Sequence, residues 1–206
     1  LQKHKVVPGS GVDLKKYKFI KNKKKNNTTN FTFIGRVIYE KGISELIESI
    51  KLIKLKQLEV NFTIIGSCSN NNRVGPSSSF INSLSSNGLF KYIPFTDNVI
   101  EYILKSDCLI LPSYREGASK VILEAGALGT PVIASDVPGI NNIIDNEKTG
   151  FLISPKNVKS LTNKIIKFMK LSKNDVNNIS NNLRIKIEQN FDENIVINEY
   201  YKAINS

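Results

Sequence analysis

Histidine is nearly absent from this 206-residue chain: His4 is the only one. A Ser-His-Asp triad, an HExxH metal helix or a histidine general base is therefore hard to assemble from these residues. Cysteine is almost as scarce. Cys68 and Cys108 lie far apart with no CxxC between them, which argues against a zinc site or a disulfide scaffold and for a reducing compartment. No apolar run approaches the roughly 18 residues that cross a bilayer, and no secretory signal is present, so the expected location is cytoplasmic. An initiating methionine is lacking as well, and the chain starts at Leu1 as though cut from something longer. Acidic residues are the last shortage, 18 against 29 basic ones, for a formal net charge of +11. That balance suggests an anionic partner, which a nucleic acid, a lipid surface or a phosphorylated small molecule would each satisfy. Lysines set beside asparagines in surface segments give the same balance with no partner, so charge alone selects none of these.

What is present reads as a globular protein. With 40% hydrophobic and 23% charged residues, the length suits one domain with a substantial core. Residues 5–8 read as a short extended piece, followed by the turn Gly9-Ser10-Gly11, whose GxG lacks the third glycine of a dinucleotide fingerprint. Residues 21–30, KNKKKNNTTN, contain no apolar side chain and read as a solvated loop or linker. From Phe31 onward, strands are expected at 31–34, 60–65, 90–93, 108–111, 132–134 and 150–153. Between and after them come helices, the clearest placing Ile43, Leu46, Ile47, Ile50 and Ile53 on one face, with others near 80–84, 97–105, 158–171, 175–189 and 192–204. Such alternation implies right-handed crossovers and an α/β fold: a doubly wound parallel sheet of about four to six strands with helices on both faces.

Ligands of such sheets sit at the carboxyl ends of the strands, so the loops there hold the candidate site. Gly35-Arg36 leaves the first strand and Lys41 follows on the turn into a helix. A cation at a helix start opposes the dipole unless an anion lies nearby, and a diphosphate would meet that need. After the strand at 108–111 comes Tyr114-Arg115-Glu116-Gly117-Ala118-Ser119, then a helix that carries Glu124. The helix start is a seat for a phosphate, and carboxylates beside it are suited to accept hydrogen bonds from sugar hydroxyls. For a Glu-x7-Glu pair alone, two surface carboxylates would be the better reading. Ser113 reads as a loop or capping residue, since no base is available to make it a nucleophile.

Several motifs, taken in order, resemble the donor-binding half of a GT-B glycosyltransferase of family 4. They are Gly35-Arg36, Lys41-Gly42, Pro112-Ser113, Glu116 and Glu124 with seven residues between them, Glu124-Ala125, Gly129-Thr130-Pro131-Val132 and Gly150-Phe151-Leu152-Ile153. The resemblance runs from about Val6 to Met169. Pro8-Gly9-Ser10-Gly11-Val12-Asp13 and Tyr114-Arg115-Glu116-Gly117 are similar to the subgroup that adds sugars to polyprenyl-diphosphate-linked acceptors in capsule, lipopolysaccharide or glycan assembly.

The resemblance implies a retaining sugar transfer from a nucleotide-diphosphate donor, a UDP-sugar by expectation. Arg36 and Lys41 would hold the diphosphate, Glu124 the ribose hydroxyls and Glu116 hydroxyls of the transferred sugar. Arg36, Lys41 and Glu116 are thus the catalytic candidates. Backbone around Gly35, Gly117, Ala118 and Ser119 would face phosphate and sugar, and the loop from Tyr92 through Pro94 and Phe95 would flank the base. No metal or other cofactor is implied, and the chain has no DxD pair for a metal-bridged diphosphate.

The implied division is a hinge or linker at 1–30, a Rossmann-like donor domain at 31–172, and helices at 173–206 that pack on an acceptor-binding N-terminal domain outside these residues. A glycan or polyprenyl-diphosphate-linked acceptor would be reached through that domain, with peripheral contact at the cytoplasmic membrane face. The apolar side of the last helix would then be exposed or repacked. Pro94 where the family usually has glycine, and Gly66-Ser67-Cys68 in place of a Gly-Asp-Gly-like turn, put the nucleotide base in question. Three other readings stand beside this one: a donor-binding fragment that works only with a partner chain, a basic nucleic-acid-binding protein, for which no motif is found, and a GT-B-like epimerase or phosphorylase, which would share the fold but not this ordered set of motifs.

Overall fold

The computed structural model describes residues 9, 11–20, 28–69 and 71–204; the extended piece expected at 5–8, and His4, lie outside them. Six strands, β1 (Thr29–Ile34), β2 (Val60–Ile65), β3 (Lys91–Ile93), β4 (Cys108–Leu111), β5 (Val132–Ser135) and β6 (Phe151–Ile153), form one sheet in the order β3-β2-β1-β4-β5-β6. Every pairing is parallel. The helices are α1 (Ile43–Leu55), α2 (Ser78–Ser86), α3 (Val99–Lys105), α4 (Lys120–Ala127), α5 (Val158–Met169), α6 (Lys173–Asn190) and α7 (Glu193–Ile204). The doubly wound sheet expected from the alternation is therefore present.

Every residue of β4 and β5 is buried, as a central strand covered on both faces requires. The core is aliphatic with one aromatic seam: Phe31 stacks on Phe62 at 5.4 Å between centroids, and Phe168 meets Phe31 and Phe151 edge-on. Along α1 the five residues predicted to share a face, Ile43, Leu46, Ile47, Ile50 and Ile53, are all buried, and the helix packs against α5. Ser172 and Asp175 make a reciprocal cap that starts α6.

Two expectations are amended. β1 begins at Thr29, so the last two residues of the segment read as loop belong to the sheet. Asp107 accepts from the Asn30 backbone N–H at 2.7 Å and returns its own N–H to the Asn30 carbonyl at 2.8 Å. This polar clasp between the starts of β1 and β4 is invisible to hydrophobic periodicity. Of the two helices assigned to a separate C-terminal group, α6 packs into the body of the domain. Its Leu183 and Ile187 close so tightly on Gly126 of α4 that an added Cβ would lie 2.4 Å from Ile187. On α7, Ile197, Tyr200, Tyr201 and Ile204 are exposed and Val196 is buried.

The turn before β6 has its own lock. Glu147 accepts from Lys164 at 2.7 Å and Lys167 at 2.6 Å on α5, and those two hydrogen bonds push its pKa down to about 2. A carboxylate held below its unfolded pKa contributes stability above that unfolded value, and the contribution fades as pH falls towards the folded one. Unfolding midpoints in urea should therefore drop for the wild-type chain between about pH 4.5 and pH 2, in the window set by this shift. Glu147→Gln should flatten that limb slightly, because the pair is solvent-screened; identical pH profiles would show that the lock contributes nothing.

Candidate functional site

The chain runs from β1 outward to β2 and β3, then crosses back to place β4 on the other side of β1. The loops leaving β1 and β4 thus diverge to opposite sides, and a crevice opens between them at the carboxyl edge. Backbone packing fixes the two loops against each other. Gly42, at φ 71°, lies so close to the β4 exit that a Cβ there would sit 2.1 Å from the Pro112 carbonyl oxygen. The Tyr114 N–H donates to the Glu40 carbonyl at 2.8 Å, and the Tyr114 hydroxyl reaches Glu45 of α1 at 2.7 Å. From the other side, Gly139 (φ 89°) presses against the Glu116-Gly117 backbone, where a Cβ would lie 2.3 Å from the Gly117 oxygen.

An open cleft of about 360 Å³ lies in the crevice. Gly35, Arg36, Lys41, Glu116, Ala118, Ser119 and Glu124, all singled out from the sequence, line it together. Arg36 is exposed at the mouth. Lys41 and Glu116, which the sequence left as separate charges, are in contact: Glu116 Oε1 accepts from Lys41 Nζ at 2.5 Å and from Ser113 Oγ at 2.9 Å. Glu124 is 7% exposed, and its Oε1 accepts from the Tyr17 hydroxyl at 2.6 Å. Burial, and then the Glu124 carboxylate itself, push the Tyr17 pKa upward, so the phenol stays a donor. The side chain of the N-cap residue Ser119 does not cap α4, and the first N–H groups of such a helix start are suited to an anion.

The remaining candidates sit elsewhere. Gly117 is exposed and acts as a backbone contact for Gly139 rather than as part of the cleft lining. Tyr92 is half-buried and does not line the cleft; its hydroxyl donates to the Gly66 carbonyl at 3.0 Å and lies 3.3 Å from Cys68 Sγ. Pro94 is exposed and Phe95 is 72% exposed. On the β3 side the cleft wall is Val99. Tyr17 was missed because it stands 107 residues from Glu124, and only the fold joins them. Ser113, expected as a loop or capping residue, donates its hydroxyl to Glu116 at 2.9 Å.

The fold and the cleft define an α/β domain whose switch-point crevice offers two cations and a free helix start beside two carboxylates. The chain belongs to the family Glycosyl transferases group 1, which it matches over residues 15–186. It is 29% identical over 207 residues to the capsular polysaccharide biosynthesis glycosyltransferase CapM of Staphylococcus aureus, covering 96% of this chain and 53% of that protein. It is also 29% identical over 208 residues to the N,N'-diacetylbacillosaminyl-diphospho-undecaprenol alpha-1,3-N-acetylgalactosaminyltransferase of Campylobacter jejuni, again covering 96% and 53%. The chain thus spans about half the length of the curated relatives it matches. Among solved structures, HepE of Anabaena in complex with UDP and glucose superimposes with a TM-score of 0.79 at 19% identity, over 95% of this chain and 55% of that one. The resemblance to GT-B glycosyltransferases read from the motifs therefore holds in family and in fold.

Proposed function

We propose that this chain is the donor-binding half of a family 4 retaining glycosyltransferase, one that takes a UDP-sugar and passes the sugar to a glycan or polyprenyl-diphosphate-linked acceptor. The observation that carries this reading is the convergence of Arg36, Lys41, Glu116, Glu124 and the α4 start on one cleft. In it, Arg36, Lys41 and the α4 N–H groups receive the diphosphate. They stabilise the negative charge that grows on the leaving phosphate as the glycosyl C–O bond breaks. Glu124 accepts the ribose hydroxyls, and Glu116 accepts hydroxyls of the sugar. The acceptor oxygen bonds to the anomeric carbon on the face the phosphate leaves, and its proton passes to the departing phosphate oxygen. The configuration is retained and this half supplies no general base.

Three points support the reading. The solved neighbour holds UDP and glucose on the same fold. The Campylobacter relative is named for a diphospho-undecaprenol acceptor, which is lipid-linked and makes contact with the cytoplasmic membrane face part of the proposal. The chain also covers only about half of such relatives, so acceptor binding belongs to the other half. Titration calorimetry with UDP tests the donor site: weak, saturable binding is expected, competed by a UDP-sugar and untouched by an oligonucleotide. With a lipid-linked acceptor, the chain by itself should transfer little or no sugar. Absence of UDP binding would remove the donor-site reading; robust transfer would remove the need for an acceptor half.

A further inference from the structure

Glu124 is a buried carboxylate at the back of the cleft, and a buried carboxylate needs partners that keep it ionised and aimed. Its partner comes from residues read only as the approach to the domain. Asp13 caps a turn by accepting from the N–H groups of Lys15 and Lys16 at 2.8 and 3.0 Å, and the Tyr17 N–H returns to the Asp13 carbonyl at 3.0 Å. Arg184 of α6 then donates to the Tyr17 carbonyl at 3.0 Å and to the Ala127 carbonyl at 2.7 Å, tying that turn to the end of α4, the helix that bears Glu124. Tyr17 is thereby held at both its backbone and its hydroxyl, and like Glu124 it is 7% exposed.

Resting on the donor-site reading above, we infer that Tyr17 is a positioning residue that fixes the Glu124 carboxylate for the ribose of the donor, occupying Oε1 and leaving Oε2 to the sugar hydroxyls. Without the phenol, the carboxylate keeps its place in the cleft wall but can rotate. It then loses the geometry that distinguishes a ribose from a sugar without hydroxyls. Tyr17 touches no ligand itself and acts only through Glu124.

Tyr17→Phe tests this, since the ring and its packing are kept. Affinities are measured by calorimetry for UDP and for a UDP analogue that lacks both ribose hydroxyls, in the wild-type chain, Tyr17→Phe, Glu124→Gln and the double variant. UDP should bind about tenfold more weakly to Tyr17→Phe, the size expected for one hydrogen bond to a charged group. The analogue should be unaffected, so the preference for ribose narrows by the same factor. In the Glu124→Gln background, Tyr17→Phe should have little further effect on UDP. Equal weakening of both ligands would reduce Tyr17 to a packing residue and overturn the inference, as would an unchanged ribose preference in a chain that binds UDP through Glu124. A wild-type chain that fails to bind UDP would overturn the proposed function, and this inference with it.

Discussion

Arg36→Ala and Glu124→Ala, made separately, should each remove measurable UDP binding while the domain stays folded. Arg36 stands exposed at the mouth of the cleft, so its truncation should leave stability within about 0.5 kcal/mol of wild type. On the proposed reading, what is lost is a cation facing a diphosphate, and each charge-assisted hydrogen bond there would be worth about 1.5–3 kcal/mol. That is a tenfold to hundredfold loss from an affinity already weak in an isolated half. Glu124→Ala acts differently. It removes the ribose acceptor and also strands the buried Tyr17 hydroxyl, whose lost partner costs about 1–3 kcal/mol. The domain should therefore melt lower than wild type but remain cooperative. Circular dichroism establishes folding and calorimetry the affinity; unchanged UDP affinity in both variants would remove the site assignment.

Gly42→Ala should be strongly damaging, since it sits where the β1 and β4 exits meet beside the cleft. At φ 71° an alanine is strained by about 1–2 kcal/mol from the backbone alone. The Cβ would also meet the Pro112 carbonyl oxygen at 2.1 Å and its carbon at 2.7 Å. Those atoms are backbone and cannot rotate away, so the β1–α1 turn must lift off the β4 exit, carrying Lys41 from Glu116. A total loss of about 3 kcal/mol is expected, or about 6–12 °C in melting temperature for a domain of this size, together with loss of UDP binding. Gly88→Ala is the matched control: its φ is 74° with nothing within 4 Å of an added Cβ. It should show the backbone strain alone and keep UDP affinity. Equal destabilisation of the two variants would mean that the close approach at Pro112 does not matter.

The parts of the molecule legible in sequence are those where a local pattern has one physical solution. The buried face of α1 follows from five aliphatic residues at helical spacing, and β4 from an unbroken Cys108-to-Leu111 run too short for a helix. The ordered motifs around Arg36, Lys41, Glu116 and Glu124 gather along one cleft because they lie on the loops and helices that follow β1 and β4. Contacts across the fold were not legible. Nothing local in Asp13-to-Tyr17 marks a partner for Glu124, and nothing in Asn30 announces Asp107. The Lys41–Glu116 pair was hidden for the same reason, since their loops meet only once β4 is laid beside β1. Tyr92, which the resemblance places in the loop beside the base, has a further contact across the fold that its sequence position does not reveal: its hydroxyl donates to the Gly66 carbonyl.

The Lys41–Glu116 contact also bears on which ligands the cleft admits. The lysine is paired with the Glu116 carboxylate, so an anion that binds Lys41 must compete with that carboxylate. A lone carboxylate or other singly charged solute offers the lysine no more than it has, and exchange brings no advantage. On the proposed donor-site reading, a diphosphate would carry more charge and could also reach Arg36 and the start of α4, which would favour it in the exchange. Displacement would then release Glu116 for the sugar that the same reading places beside it. Charge recognition and sugar recognition would thus follow one another in time, with the internal pair setting the threshold for the first.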